Sequence, residues 1–176
     1  MKYSIFMMIM FTSMASNIIF EFNKKSDLKN WVIIDDVVMG GKSSGSFGLS
    51  PQGHGVFRGS ISLDNNGGFS SVRHKFERKL IRDFTKIVLK IKGDKKKYQF
   101  RIKSNSGDYY SYISTFSTNG DWQEIQINLK DMYPSFRGRK LAKPNFSEDY
   151  IEEIVFLIGN KNEENFELQI DKIALE

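Results

Sequence analysis

The sequence predicts an all-β protein, an antiparallel β-sandwich or jelly roll. Three observations carry that prediction. About nine or ten short runs alternate apolar and polar residues, turn residues separate them, and almost nothing shows helical periodicity. The stretch Asp35–Arg73 holds nine of the fourteen glycines, with Gly40-Gly41 and Gly67-Gly68 as two pairs near its ends. Asx residues precede both pairs, so the stretch reads as short strands joined by chemically specified turns. Finally, 176 residues with 40% hydrophobic content and fifteen Phe supply one sizeable core.

The elements follow in chain order. Ile18–Phe22 places Ile18, Phe20 and Phe22 on one face, as a half-buried strand does. Ser26–Asn30 is a turn, and Trp31–Ile34 is the next strand. Gly55–Leu63 and Phe69–Phe76 read as paired strands joined through Asp64–Gly68. Phe84–Lys92 and Tyr98–Lys103 read as a hairpin across the loop Gly93–Lys97. Alternation puts Ile87, Leu89, Ile91, Tyr98, Phe100 and Ile102 on one face of that hairpin. Lys90, Lys92, Gln99, Arg101 and Lys103 share the other. Tyr109–Ser117, Trp122–Leu129, Ile154–Ile158 and Phe166–Leu175 are further strands. Ser147–Glu153 is the one short helix expected, with Ser147 as N-cap. No repeat or linker divides the chain, so a single domain over 18–175 is expected.

The net charge of +5 permits an acidic partner without requiring one. The absence of cysteine excludes disulfides, thiol catalysis and cysteine-ligated zinc. Lys2, the apolar run Ile5–Phe11 and Ser13-x-Ala15 follow the order of a secretory signal, so residues 1–15 read as a signal peptide. That reading makes the protein periplasmic or secreted. The alternative is a buried first strand in a cytoplasmic protein. The apolar run is too short for a transmembrane anchor.

Catalytic patterns are absent. His54 and His74 lie twenty residues apart with no adjacent ligand, so no metal is expected. Gly53-x-Gly55-x-x-x-Gly59 has the wrong spacing for a dinucleotide fingerprint, and no helix follows it. Asp35-Asp36, Glu152-Glu153 and Glu163-Glu164 are adjacent pairs, and adjacent strand residues point to opposite faces. No cofactor and no enzyme activity are expected, and no nucleic-acid motif is present.

Binding is better supported. Tyr110, Tyr112 and Phe116 share one alternating face, fit either for the core or for stacking on a ligand. Pro134–Arg139 presents Arg137 and Arg139 around Gly138, two guanidinium forks suited to carboxylate or phosphate. Arg73, Arg137 and Arg139 each need an acidic partner or solvent, and Asp36 and Asp64 are the candidate internal partners. The glycine pairs are expected to be structural first. Asp36 with Gly40-Gly41 fixes one turn and Asn66-Gly67-Gly68 another, with Gly41 or Gly67 the candidates for positive φ.

Taken together these blocks resemble one family. The blocks are Trp31 with Asp36–Ser43, Gly55–Gly59 with Ser62–Phe69 and Arg73, Gly120-Asp121-Trp122, Pro134–Arg139 and Ile170–Ile173. In this order they are similar to the NADH:ubiquinone oxidoreductase complex I intermediate-associated protein 30 family, over roughly Ile18 to Leu175. The resemblance implies a galactose-binding-like jelly roll without catalytic activity, acting as a chaperone-like complex I assembly factor that binds protein. Because the fold is shared with carbohydrate-binding modules, it also implies an alternative, an extracytoplasmic glycan-binding module. The expected partner is therefore a respiratory-complex subunit or a glycan. The candidate binding residues are Arg73, Arg137, Arg139, Asp36, Asn66, Tyr110 and Tyr112. The expected functional surface lies where the glycine-rich stretch meets the loop Pro134–Arg139.

Overall fold

The structure is a computed structural model and describes residues 17–176. Two antiparallel sheets face one another across a core, as the alternation predicts. The strands in chain order are β1 (Ile18–Glu21), β2 (Trp31–Asp35), β3 (Ser44–Leu49), β4 (Gly55–Ile61), β5 (Ser70–Leu80), β6 (Lys86–Lys92) and β7 (Lys97–Lys103). They continue with β8 (Ser111–Ser117), β9 (Trp122–Asn128), β10 (Tyr133–Phe136), β11 (Arg139–Lys140), β12 (Tyr150–Ile158) and β13 (Glu164–Leu175). One sheet has six strands in the order β3-β4-β13-β6-β9, with β1 also paired to β13. The other has seven, ordered β11-β10-β8-β7-β12-β5-β2.

Both inner faces are apolar. Phe57, Ile87, Leu89, Ile91, Leu168 and Ile170 project from the six-stranded sheet, and all are fully buried. Val72, Phe100, Ile102, Ile154 and Phe156 oppose them from the seven-stranded sheet. One end of the core is aromatic. Trp31 stacks on His74 with centroids 4.5 Å apart, and Phe20, Phe22 and Phe47 pack around them. Burial lowers the His74 pKa, so the ring is held neutral.

Three expectations are corrected. β6 and β7 do not pair. β6 lies between β13 and β9, and β7 lies in the opposite sheet between β8 and β12. Gly93–Lys96 is therefore an arch across the sandwich, pinned by Asp94, which accepts bonds from Tyr98 Oη at 2.8 Å and Glu167 N at 3.0 Å. β4 and β5 likewise lie in opposite sheets, joined over Asp64–Gly68. Alternation showed which face turns inward; it carries no information about the neighbour, because both arms of an arch face the same core. The basic residues once grouped on one face are consequently divided, Lys90 and Lys92 on one outer surface and Gln99, Arg101 and Lys103 on the other. The expected helix over Ser147–Glu153 is absent: Tyr150–Ile158 is a strand between β5 and β7. Its apolar inner face, Ile151, Ile154, Phe156 and Ile158, is worth more buried in the sheet than a marginal single helical turn.

Asp36 organises the glycine-rich stretch. It follows β2 in a 3-10 turn, Asp36–Met39, and is wholly buried. Its carboxylate accepts bonds from Ser43 N at 2.9 Å, Ser43 Oγ at 2.5 Å, Gly68 N at 2.6 Å and Phe69 N at 3.2 Å. One carboxylate thus ties the chain after β2, the start of β3 and the chain entering β5. Burial would raise its pKa, but these bonds outweigh burial and hold it below the ordinary carboxylate range. The glycines serve this contact in two ways. Gly40 (φ 88°) and Gly68 (φ 126°) take the left-handed region. The expected positive φ at Gly41 or Gly67 is not found; those two are bare because a Cβ would collide with the Asp36 carboxylate, at 2.5 Å from Oδ2 in the case of Gly67. Asn65 Nδ2 then donates to Gly40 O at 3.0 Å, joining the two turns.

Gly67→Ala is expected to cost about 1–3 kcal/mol and to lower the melting midpoint by several degrees. Gly48→Ala, where a Cβ meets nothing within 4 Å, should leave it unchanged. Equal melts for the two variants would show that the Asp36 cage yields without cost.

Candidate functional site

The outer face of the seven-stranded sheet carries a cleft of about 520 Å³. Strand alternation decides its floor. The residues between the inward Val72, Phe100, Ile102 and Phe156 point outward. These are Ser71 and Arg73 from β5, Val155 and Leu157 from β12, and Gln99, Arg101 and Lys103 from β7. Ser111 of β8 and Ser135 of β10 extend the floor towards the other edge.

Two walls rise from this floor. One is the turn held by Asp36, which presents Val38 and Met39, 73% and 59% exposed. The other is the β10–β11 hairpin with the neighbouring Tyr109. Arg137 and Gly138 form its two-residue turn at φ 48° and 75°, the left-handed pair that matches strand twist. Phe136 and Tyr109 meet edge to face at 5.2 Å beside it. Both walls are therefore apolar and exposed, and the floor between them is polar and cationic.

The charges on the floor are unevenly matched. Arg101 donates from Nε and Nη2 to Gln99 Oε1 at 3.0 and 2.6 Å. Among the described residues no carboxylate pairs with it. Burial lowers its pKa, and the neighbouring Arg73 pushes in the same direction. Glu153, next to the floor residues Arg73 and Lys103, is fully buried, and among the described residues neither of its oxygens accepts a hydrogen bond. Arg73 Nε stands 3.4 Å from it, Lys75 Nζ 3.9 Å and Lys103 Nζ 4.0 Å. Burial raises the Glu153 pKa, against the pull of Arg73, Lys103 and Lys75. Burial also lowers the Lys103 pKa, and its ammonium donates to Asp108 O at 2.6 Å.

The residues singled out from the sequence are distributed unequally. Arg73 is on the floor, Arg137 and Gly138 are on one wall, and Gly68 is at the base of the other. The Arg137 guanidinium lies 5.3 Å from the Phe136 ring centre. Arg139 is exposed on β11 and does not line the cleft. Asp36 lies beneath the wall, with Gly40, Gly41 and Gly67 around it. Asn66 is exposed away from the cleft. Tyr112 is a core residue packed against Phe146. Tyr110 lines a separate shallow depression, with Lys143 over its ring. The expected pairing of one of Arg73, Arg137 and Arg139 with Asp36 or Asp64 is corrected: Arg73 faces Glu153, Asp36 binds backbone and Ser43, and Asp64 pairs with Lys42 at 2.8 Å.

Sequence reasoning missed Glu153 and the isolation of Arg101. A signal existed: Glu153 is in phase with the outward Val155 and Leu157. What the sequence lacks is the register that sets Glu153 opposite Lys103 on one side and Lys75 on the other. Among the described residues, no group of three His, Cys, Asp or Glu side chains is placed to hold a metal ion. None of the helical segments described is long and apolar enough to cross a membrane.

The family model for complex I intermediate-associated protein 30 matches residues 20–170. The chain belongs to that family. It is 25% identical over 183 aligned residues to the mouse protein "Complex I intermediate-associated protein 30, mitochondrial", covering 91% of this chain and 56% of that one. The Drosophila melanogaster protein of the same name is 25% identical over 153 residues, 74% of this chain and 52% of that one. The chain thus spans about half the length of these relatives. Among solved structures, two family 11 carbohydrate-binding modules of Clostridium thermocellum share the fold. One, from the cellulosomal cellulase Lic26A-Cel5E, has a TM-score of 0.68 at 17% identity, covering 93% of this chain and 95% of that one. The other, solved with a β-1,3-1,4-mixed-linked tetrasaccharide, scores 0.66 at 16% identity, covering 88% and 94%. The jelly-roll sandwich expected from the sequence is therefore the fold. The expected export is corrected: the curated relatives are mitochondrial, not periplasmic or secreted proteins. The signal peptide and its cleavage point at Ala15 lie outside the described residues.

Glu153 yields a signed prediction. Its pKa is raised in the fold, so its contribution to stability is fully present below the unfolded carboxyl value and is lost as pH rises through the folded one. The melting temperature of the wild type relative to Glu153→Gln should therefore fall as pH is raised from about 4 to 7, the window above the ordinary Glu value. A relative melting temperature that rises over that window would show that the three cations, not burial, govern the group.

Proposed function

We propose that this chain is a non-catalytic assembly factor of complex I that works in mitochondria and engages a protein partner through the cleft of its seven-stranded sheet. The observation that carries the reading is the pair of exposed apolar walls, Val38-Met39 and Tyr109-Phe136, facing each other over a polar floor. Exposed apolar side chains gathered at one concavity mark an interaction site rather than ordinary surface. Family membership supports the choice of partner, since the curated relatives are named for association with complex I intermediates.

No group on the floor is arranged for catalysis. Among the described residues Glu153 has no second carboxylate or histidine beside it; it is fully buried with only cations nearby, so it lacks a partner for paired acid–base work. Binding explains the same features more directly. A second reading, glycan binding, is favoured by the exposed Tyr109 ring, which presents a face on which a sugar can stack.

Depletion of the protein in its native host should lower mature complex I and leave a partial assembly on native gels. Wild type and Trp122→Ala, altered on the opposite sheet, should restore the mature complex; Met39→Glu, altered on the cleft wall, should not, at an unchanged melting temperature. Normal complex I after depletion, together with retention of the protein on mixed-linkage glucan, would transfer the assignment to the glycan reading.

A further inference from the structure

The floor of the cleft has a charge problem that its own residues leave unsolved. Arg73, Arg101 and Lys103 converge there, and among the described residues Glu153, buried beside the floor, is the single carboxylate paired with any of them. Glu153 lies on the side of Arg73 and Lys103. Arg101 is left with a neutral amide, Gln99, as its side-chain partner. A guanidinium partly withdrawn from water and lacking an anion carries a cost that a bound anion relieves. The neighbouring Arg73 increases the demand, and Arg137 on the wall adds a further exposed cation.

The geometry around the cations selects the form of the anion. From β10 to β2 the floor crosses five strand spacings, about 24 Å, which is the reach of about seven residues of extended polypeptide. The cations occupy the middle of that path. The apolar walls, Val38-Met39 and Tyr109-Phe136, occupy its two ends. A nucleic acid or a polyanionic glycan repeats its charge along its whole length and would leave both walls unmatched. A peptide with one acidic residue between apolar ones matches all three zones, and the path across the strands leaves recognition to side chains rather than to a sheet edge.

We infer that the cleft takes an extended peptide segment whose central Asp or Glu carboxylate seats on Arg101 and Arg73, with apolar residues on either side against the two walls. This deepens the protein-binding reading and rests on it. A guanidinium–carboxylate contact of this kind supplies both charge and a fixed orientation. It selects partner segments by the position of one acid relative to flanking apolar residues.

The test uses fluorescein-labelled seven-residue peptides, with Leu and Phe towards both ends and either Glu or Gln at the centre, in anisotropy titrations with the full chain. The Glu peptide should bind about tenfold or more tightly than the Gln peptide. Arg101→Gln should abolish the difference, Arg58→Gln on the opposite sheet should preserve it, and raising salt should shrink it in the wild type. Equal binding of both peptides would overturn the carboxylate inference and leave the protein-binding reading intact. Binding of oligogalacturonate with neither peptide bound would overturn both. Failure of all three probes would overturn the inference alone, with the protein-binding reading then decided by complex I assembly.

Discussion

The carboxylate of Asp36 is the contact on which the rest of the site depends. It is fully buried and pairs with no cation among the described residues, yet four hydrogen-bond donors surround it. Those donors come from separate parts of the chain, around Ser43 and around Gly68-Phe69. A buried anion held this way keeps its charge because its bonds favour the ionised form, and it fixes each donor in turn. The turn carrying Val38 and Met39 springs directly from Asp36, and Gly68-Phe69 leads into β5 with Arg73. One contact therefore sets an apolar wall against a cationic floor. The bare Cα atoms of Gly41 and Gly67 are the steric condition for it.

Asp36 and Glu153 show how environment assigns different work to two buried carboxyls. Asp36 is surrounded by short, directed donors, and its pKa falls. Glu153 has three cations at 3.4 to 4.0 Å but no hydrogen bond, and its pKa rises. Directed bonds offset desolvation where charges at longer range do not. The first arrangement is a structural clasp. The second leaves Arg73 and Arg101 incompletely neutralised beside an open cleft, and an incompletely neutralised guanidinium at a cleft floor is suited to an anionic ligand.

Much of the architecture was legible in the sequence. Period-two alternation identified the inward residues of β6 and β7, and the glycine–Asx clusters located the turns that shape one wall. Pairing was not legible. The five residues Gly93–Lys97 fit a hairpin or an arch equally well, and the alternation of β6 and β7 is the same in both. The error had a functional consequence, since it merged Lys90 with Arg101 on a single face and concealed the isolation of Arg101 on the cleft floor. Tyr112 was misplaced for a related reason: an aromatic on an alternating strand is inward or outward according to which neighbours the fold supplies. The sequence of Pro134–Arg139 presents two guanidinium forks on one loop. The two-residue turn at Arg137-Gly138 instead sends Arg137 to the cleft wall and Arg139 into the edge strand. The family resemblance, in contrast, was carried by the residues of five motif blocks in a set order, which need no knowledge of strand pairing.

The central claim is that the outer face of the seven-stranded sheet, and not that of the six-stranded sheet, meets a subunit of complex I. Photo-crosslinking in intact mitochondria tests it most directly. A benzophenone side chain placed at Ser111 reports on the cleft floor, and one at Glu124 reports on the outer face of β9. The account predicts a covalent product with a complex I subunit from position 111 and none from position 124. The same subunit captured from position 124 alone, with position 111 silent, would contradict it.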